Sequence, residues 1–519
     1  MNTKKKSCGA VALLAAAALL TSGCQSAPGK DGGEAGRTKL TYWMNMSSYA
    51  STVVNNMGDT PLYQKLEEVT GTELDFIHPP QGQSSEKFNI LIASDELPDI
   101  IQYNWQTYPG GPQNAINDKI IVDLNDYKNF APNLFRYFEE HDEVRKLSVT
   151  DSNALFAFPC IRGDESLEVS VGLIVRQDWL DELGLSMPET LDDWERVLTA
   201  FRDQKGAKAP LSINLSNMRA SHLFAGAFDV GIGYYIDDGK VKYGMLEPGF
   251  KDFLTLMNQW YREKLLDADF TTLDSKMIDS NILNGMTGAI SGALGSGIGR
   301  YMSAAPNERF QLAGAPYPTK NRGEVPSFGY WQTPVGANNA AAVSFDSKHK
   351  EEAVKLLDYG YGQEGRMLYN FGIEGESYED RDGYPAYTET ITNNPEGLAM
   401  TVALSKYTLA YDSGPFIQDK RYMEQYANLP EQQAAWNTWM KTGMKEHVVP
   451  YLYVREDEVS ELANLNNAID TYADEMIMKF IMGAEPLDQY DKAVEQLKAR
   501  GIDKVLEMKQ AAYERYLAK

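Results

Sequence analysis

Trp43, Trp105 and Trp331 stand at strand ends or in loops, outside any periodic apolar run, and amides sit beside them in Trp43-Met-Asn45 and Tyr103-Asn-Trp105. Aromatic faces stack on the apolar C–H faces of sugar rings, while Asn, Gln, Asp and Arg bond the hydroxyls; convergent groups of this kind in a concave site bind small ligands. The supply is large, with 8 Trp and 30 Tyr. Trp179, Trp194 and Trp260 lie on amphipathic helical stretches and read as packing anchors. Trp436 and Trp439, three apart on one helix, are core or rim. Gly292-Ala-Leu-Gly-Ser-Gly297 has two readings. Its bare N–H groups can approach ligand oxygens, or its glycines supply φ > 0 in a tight turn. Arg176 either braces a hinge, reaches a ligand hydroxyl or makes a buried salt bridge.

Residue patterns for bond-making chemistry are missing. The five histidines show no HExxH spacing, and there is no CxxC, P-loop, GxGxxG after the first strand or GxSxG elbow. Glu379-Asp-Arg-Asp-Gly383 lacks the spacing and terminal Glu of a calcium loop and reads as a hairpin turn. No metal, cofactor or catalytic residue is expected. With 73 acidic residues, a carboxylate pair placed for glycoside chemistry carries no specificity.

The elements that position the aromatics alternate in type. Leu40–Trp43 is a strand. Thr60-Pro61 caps a helix carrying Leu62, Leu66 and Val69, with Gly71 as its stop. Glu73–Ile77 is a strand, Phe88, Leu91 and Ile92 mark a helix, and Pro98–Gln102 leads into a third strand. This β-α-β-α-β order predicts a largely parallel sheet with ligand at its carboxyl ends, where Trp43–Asn45 and Tyr103–Trp105 fall. A second α/β unit begins after Phe156–Pro159. Leu173–Val175 is a strand, Thr190 and Asp193 cap a helix with Trp194, Leu198 and Phe201 inward, and Gly285–Ile290 is a further strand. Beyond Ala353 helices dominate, with one stripe through Leu462, Leu465, Ile469, Tyr472 and Met476.

The 519 residues predict two to four domains, and a mean hydropathy of −0.41 excludes a polytopic membrane protein. A net charge of −24 argues against nucleic acid, whose phosphates need clustered Lys and Arg. Lys4–Lys6, the apolar run Val11–Leu20 and small residues before Cys24 read as a signal segment, 1–23. Its end resembles a bacterial lipobox, which implies a lipid on Cys24 and a place on the outer face of the cell membrane. Residues 24–38 read as a flexible tether. Cys160 is then the remaining thiol and is expected to be a small buried apolar side chain.

The chain resembles the extracellular solute-binding proteins of ABC importers, in the branch that binds sugars and oligosaccharides. The motifs are Leu40-Thr-Tyr-Trp-Met44, Ser94-Asp-Glu-Leu-Pro-Asp-Ile-Ile101, Leu155-Phe-Ala-Phe-Pro159, Arg176-Gln-Asp-Trp-Leu-Asp-Glu-Leu-Gly-Leu185, Pro188-Glu-Thr-Leu-Asp-Asp-Trp194 and Asn284-Gly-Met-Thr-Gly-Ala-Ile290. Lys350–Asp358 through Gly372-Ile-Glu-Gly375 completes the set. The resemblance implies an α/β, two-lobed periplasmic-binding-protein-like fold, with ligand between the lobes and a helical C-terminal region. It implies lobe pieces 39–158 and 335–371 against 159–334 and 372–519. Crossings then fall near Phe158–Asp164, Thr333–Asn338 and Phe371–Tyr378. Ligand contacts carried over from the family are Trp43 and Asn45; Tyr103, Asn104, Trp105 and Gln106; and Leu294, Gly295 and Ser296. The glycine turn lacks the aromatic that such relatives carry, and Trp331 is the replacement. The expected partners are a carbohydrate and the permease subunits of an ABC transporter, with the protein a monomer, no reaction occurring on it and no nucleic acid bound. Two other readings are a surface polysaccharide lyase or glycoside hydrolase, and a binder of a peptide or other solute; a third, a structural or adhesive lipoprotein, predicts no small-ligand cleft.

Overall fold

The computed structural model describes residues 37–94 and 96–519. The signal segment and Cys24 lie outside the described residues. The first strand, β1 (Thr38–Met44), is followed by β2 (Thr72–Ile77) and β3 (Ile100–Tyr103), with α1 (Pro61–Thr70) and α2 (Ser84–Ile92) between them. The α1 boundaries follow from local chemistry. The Thr60 hydroxyl accepts the Tyr63 N–H at 3.4 Å, Pro61 opens the helix, and Gly71 ends it at φ 69°.

Strand β1 pairs in parallel with both β2 and β3, as the β-α-β-α-β order predicts. Next come β4 (Phe158–Arg162), β5 (Val171–Arg176), β6 (Leu211–Ser212) and the hairpin of β7 (Tyr234–Asp237) and β8 (Lys240–Tyr243). They are followed by β9 (Ala289–Ala293), β10 (Leu312–Ala315), β11 (Val335–Val343), a second hairpin of β12 (Tyr378–Arg381) and β13 (Tyr384–Tyr387), and β14 (Ile417–Gln418). One six-stranded sheet has the order β14-β4-β11-β3-β1-β2, and a four-stranded sheet has the order β10-β5-β9-β6. The strand expected over 285–290 begins at Ala289, because Gly285 takes φ 68° in the preceding turn.

Each sheet has its own core. Leu40, Tyr42, Leu62, Leu66, Ile100 and Phe158 share one cluster with the six-stranded sheet. The helix Leu191–Lys205 packs Trp194, Leu198 and Phe201 inward on the four-stranded sheet, and its Thr190–Asp193 capping box is closed in both directions. Trp179, Trp260, Trp436 and Trp439 are all buried in that second core. In the long helix Val459–Met482, Ile469 and Met476 are buried and Leu462, Leu465 and Tyr472 rest against the same cluster. Cys160 is a buried free thiol. Glu379–Gly383 runs from β12 into the hairpin turn, with Asp382 and Gly383 at φ 56° and 86°. Among the described residues no helix is long and apolar enough to cross a membrane.

The chain leaves the six-stranded sheet at the end of β4 and re-enters it at β11, near the first two expected crossings. After Phe371, Gly372 turns the chain at φ 85°, and the Ser377 hydroxyl donates to the Phe371 carbonyl and accepts the Ile373 N–H, so the backbone doubles back. Phe371, Tyr378, Tyr387, Ile391 and Leu404 then pack in the core of the four-stranded sheet, and the chain returns at β14, which pairs with β4 through Ile417–Ile161 and Gln418–Arg162. β14 thus adds a further passage of the chain at the edge of the six-stranded sheet.

Candidate functional site

The carboxyl ends of β1 and β3 and the amino end of β11 share one edge of the six-stranded sheet. Just past β1, Asn45 is half-buried. Trp43 is not available there. It is 3% exposed, its ring 5.8 Å from Tyr103 and 6.1 Å from Phe88. Past β3, Tyr103 stacks on Phe88 at 3.8 Å, and Trp105 is fully buried with its indole N–H on the Ile101 carbonyl. The two tryptophans expected to expose ring faces thus belong to a core between β1, β3 and α2. The cause is short-range: Asn104 caps a single 3₁₀ turn, Trp105–Thr107, which swings the next ring back under the sheet. Asn104 and Gln106 remain half-buried at the edge.

The rings that do occupy this edge come from segments far apart in sequence. Tyr49, after β1, meets Tyr411 edge-on at 5.2 Å, and the Tyr411 hydroxyl donates to that of Tyr49. Tyr411 meets Tyr426 at 5.0 Å. Burial, then its hydroxyl neighbours, pushes the Tyr411 pKa well up, so it stays a neutral donor. Polar groups fill the gaps. Asn339 sits where the β11 register breaks between Gly336 and Ala341, at φ 59°, and its amide donates to the Ser413 hydroxyl. A non-glycine residue in that conformation is strained, and such strain gathers at binding sites. Asp412 is open to solvent on one side, yet crowding by protein raises its pKa, opposed by a hydrogen bond from Ser47.

The glycine turn answers this edge from the second sheet. Leu294 is buried, Gly295 half-buried and Ser296 exposed, in a wide helical turn over Leu294–Gly299. None of Gly292, Gly295, Gly297 or Gly299 has positive φ, so tight-turn geometry does not explain them. Space does. A Cβ on Gly295 would lie 2.3 Å from the Tyr426 ring, and one on Gly299 2.6 Å from Gln432, whose amide donates to the Leu294 carbonyl at 2.8 Å. A ring from another segment, that of Tyr426, therefore lies directly against this turn. Neither Tyr411 nor Tyr426 carried a local sequence signal; the bare Gly295 was the one available hint.

Trp331 lies elsewhere, beside the crossings. It is half-buried, and its indole N–H donates to Glu168 at 2.6 Å. Burial raises the Glu168 pKa, with the indole opposing. Arg162 bonds Gln332 and the Thr333 carbonyl. These residues, with Lys445 and Tyr513, line a cavity of about 480 Å³. Arg176 makes a buried two-point ion pair with Asp178 between the rings of Trp179 and Phe310, which settles it as structural. Among the described residues no cluster of His, Cys, Asp and Glu is placed to hold a metal.

This two-sheet arrangement, with strand ends and polar rings gathered at the crossings, defines a solute-binding architecture. Residues 56–367 match the model of the bacterial extracellular solute-binding protein family, and the chain belongs to that family. It is 24% identical over 380 residues to the lipoprotein LipO of Bacillus subtilis (strain 168), covering 70% of this chain and 72% of that protein. It is 24% identical over 498 residues to the fructooligosaccharide ABC transporter substrate-binding protein FusA of Streptococcus pneumoniae serotype 4, covering 88% and 87%. The crystal structure of alginate-binding protein AlgQ2 has a similar fold, with TM-score 0.72, 22% identity and coverage of 92% of this chain and 98% of that one.

Proposed function

We propose that this protein is the capture component of an ABC importer, held to the outer face of the membrane through a lipid on Cys24, and that its solute is a carbohydrate oligomer. Family membership supports capture. The observation that carries the carbohydrate reading is the set of Tyr49, Tyr411 and Tyr426 interleaved with Asn339, Asp412 and Ser413 at one sheet edge, rings for C–H faces beside groups for hydroxyls. FusA is named for a fructooligosaccharide and AlgQ2 for alginate, which favours the same class.

In this reading one lobe is built on the six-stranded sheet, from residues 39–162 and 335–371 with β14 returning to it, and the other from the intervening and following chain. Ligand lies between them, touched by Asn45, Asn104 and Gln106 from the first lobe and by Gly295 and Ser296 from the second. Trp331 lines the adjoining cavity. Closure on the solute presents both lobes to the permease, and the protein acts as a monomer without turning its solute over.

Calorimetric titration against a panel of oligosaccharides tests this. Saturable micromolar or tighter binding, with no new products after prolonged incubation, is expected. Accumulating products would favour the lyase or hydrolase reading, and binding of peptides alone would favour a different solute.

A further inference from the structure

We propose that Asp412 is the polar anchor of the ligand cleft and selects hydroxyl-rich neutral sugars over uronate-bearing ones. The inference rests on the carbohydrate reading and narrows it, since the named binders of fructooligosaccharide and alginate stand on opposite sides of that choice.

Position comes first. Asp412 lies in the loop before β14, between Tyr411 and Ser413, which touch Tyr49 and Asn339 respectively. The Gln102 amide at the end of β3 donates to the Ser413 carbonyl, which ties this loop to the strand ends. The Asp412 carboxyl is thus fixed among the groups already assigned to the cleft while one side stays open to solvent.

Charge comes second. Most of the neighbouring cations are already engaged, Arg366 beside Gly163 excepted. Lys420 pairs with Asp164, Arg421 with Asp419 and Lys445 with Glu165, while Arg162 directs its guanidinium at Gln332 and the Thr333 carbonyl. Among the described residues Asp412 makes no ion pair; Ser47 is its hydrogen-bond partner. An ionised carboxylate held this way is acceptor-only, with lone pairs left for two sugar hydroxyls. A second carboxylate brought by a uronate would face it, and like charges held close together repel.

The test uses the mature protein and five probes: kestose, maltotriose, xylotriose, 1,4-linked galactotriose and trigalacturonate. The wild type is expected to bind at least one neutral trisaccharide 100-fold or more tighter than trigalacturonate. Asp412→Asn should weaken that neutral sugar at least tenfold and narrow the preference. Asp412→Glu should weaken it too but keep the discrimination. Melting curves of both variants establish that they fold. Preference of the wild type for trigalacturonate, or an unchanged neutral-to-acidic ratio in Asp412→Asn, overturns the inference while leaving carbohydrate capture standing. Binding of neither class at millimolar concentration overturns the carbohydrate reading, and this inference with it.

Discussion

Two aromatic groups lie within a few residues of the same sheet edge, and they do opposite work. Trp43, Tyr103 and Trp105 are consecutive with their strands and are drawn into a core against Phe88. Tyr49, Tyr411 and Tyr426 come from three separated segments and meet at the edge itself. Rings carried on the strands or in the first turn after them, Tyr103 included, pack against α2 despite their polar atoms, while rings brought by loops and a helix from elsewhere meet at the margin. Proximity to a strand end marks where a site can be, while the segment that carries a ring decides whether it faces it.

The sharpest way to break this contrast is Trp105→Ala. A fully buried indole removed from a packed core should cost roughly 3–5 kcal/mol, read as a large fall in Tm, with the affinity of whatever protein stays folded near that of the wild type. Normal melting with lost binding would move Trp105 from core to site. Tyr426→Ala should do the reverse. Losing a ring that closes the cleft should cost about 2 kcal/mol of binding, or about 30-fold in Kd by calorimetry, with a smaller change in Tm. If the melt collapses and the remaining fraction binds normally, the tyrosines are scaffold.

Gly295→Ala sharpens the comparison further. The added methyl would displace the Tyr426 ring, at an overpacking cost of roughly 1–3 kcal/mol. In the Tyr426→Ala background the same change should cost much less, because the two residues share one space. Additive costs by chemical denaturation would show that Gly295 serves some other neighbour.

The smallest effect concerns Trp331 and is a pH dependence. Burial raises the Glu168 pKa above its ordinary 4.5, so the folded protein holds its proton more tightly than the unfolded chain. Stability from this group is therefore complete below about 4.5 and is lost as pH rises through the elevated folded value. Wild type minus Glu168→Gln, melted across pH 3–7, should show that downward slope; a flat difference would mean that the indole hydrogen bond offsets the burial.

Much of the fold was legible because its signals are local. Thr60-Pro61 with Gly71, and Thr190 with Asp193, fix helix ends through groups three or four residues apart, and the resulting elements fall where that chemistry puts them. The inward stripe of Trp194, Leu198 and Phe201 was equally local. What failed was long-range. At the strand ends Asn45, Asn104 and Gln106 line the expected edge, yet the one-turn swing after Asn104 hid Trp105. The Tyr411–Tyr426 pair joins two segments on either side of β14, a contact no local pattern announces. Gly295 was visible, but not the ring for which it leaves room.

The crossings carry one more consequence. Where they leave the six-stranded sheet they are hydrogen-bonded to one another: Arg162 N–H to the Pro334 carbonyl, and Gly163 N–H to that of Gln418. Three separate tethers would let two bodies swing, roll and slide. Three strands laced edge to edge make a ribbon, stiff in its own plane and compliant across it. Relative motion of the two halves is then confined close to a single bending coordinate. A solute that bridges them needs to freeze little else, so more of its contact energy is left to appear as affinity.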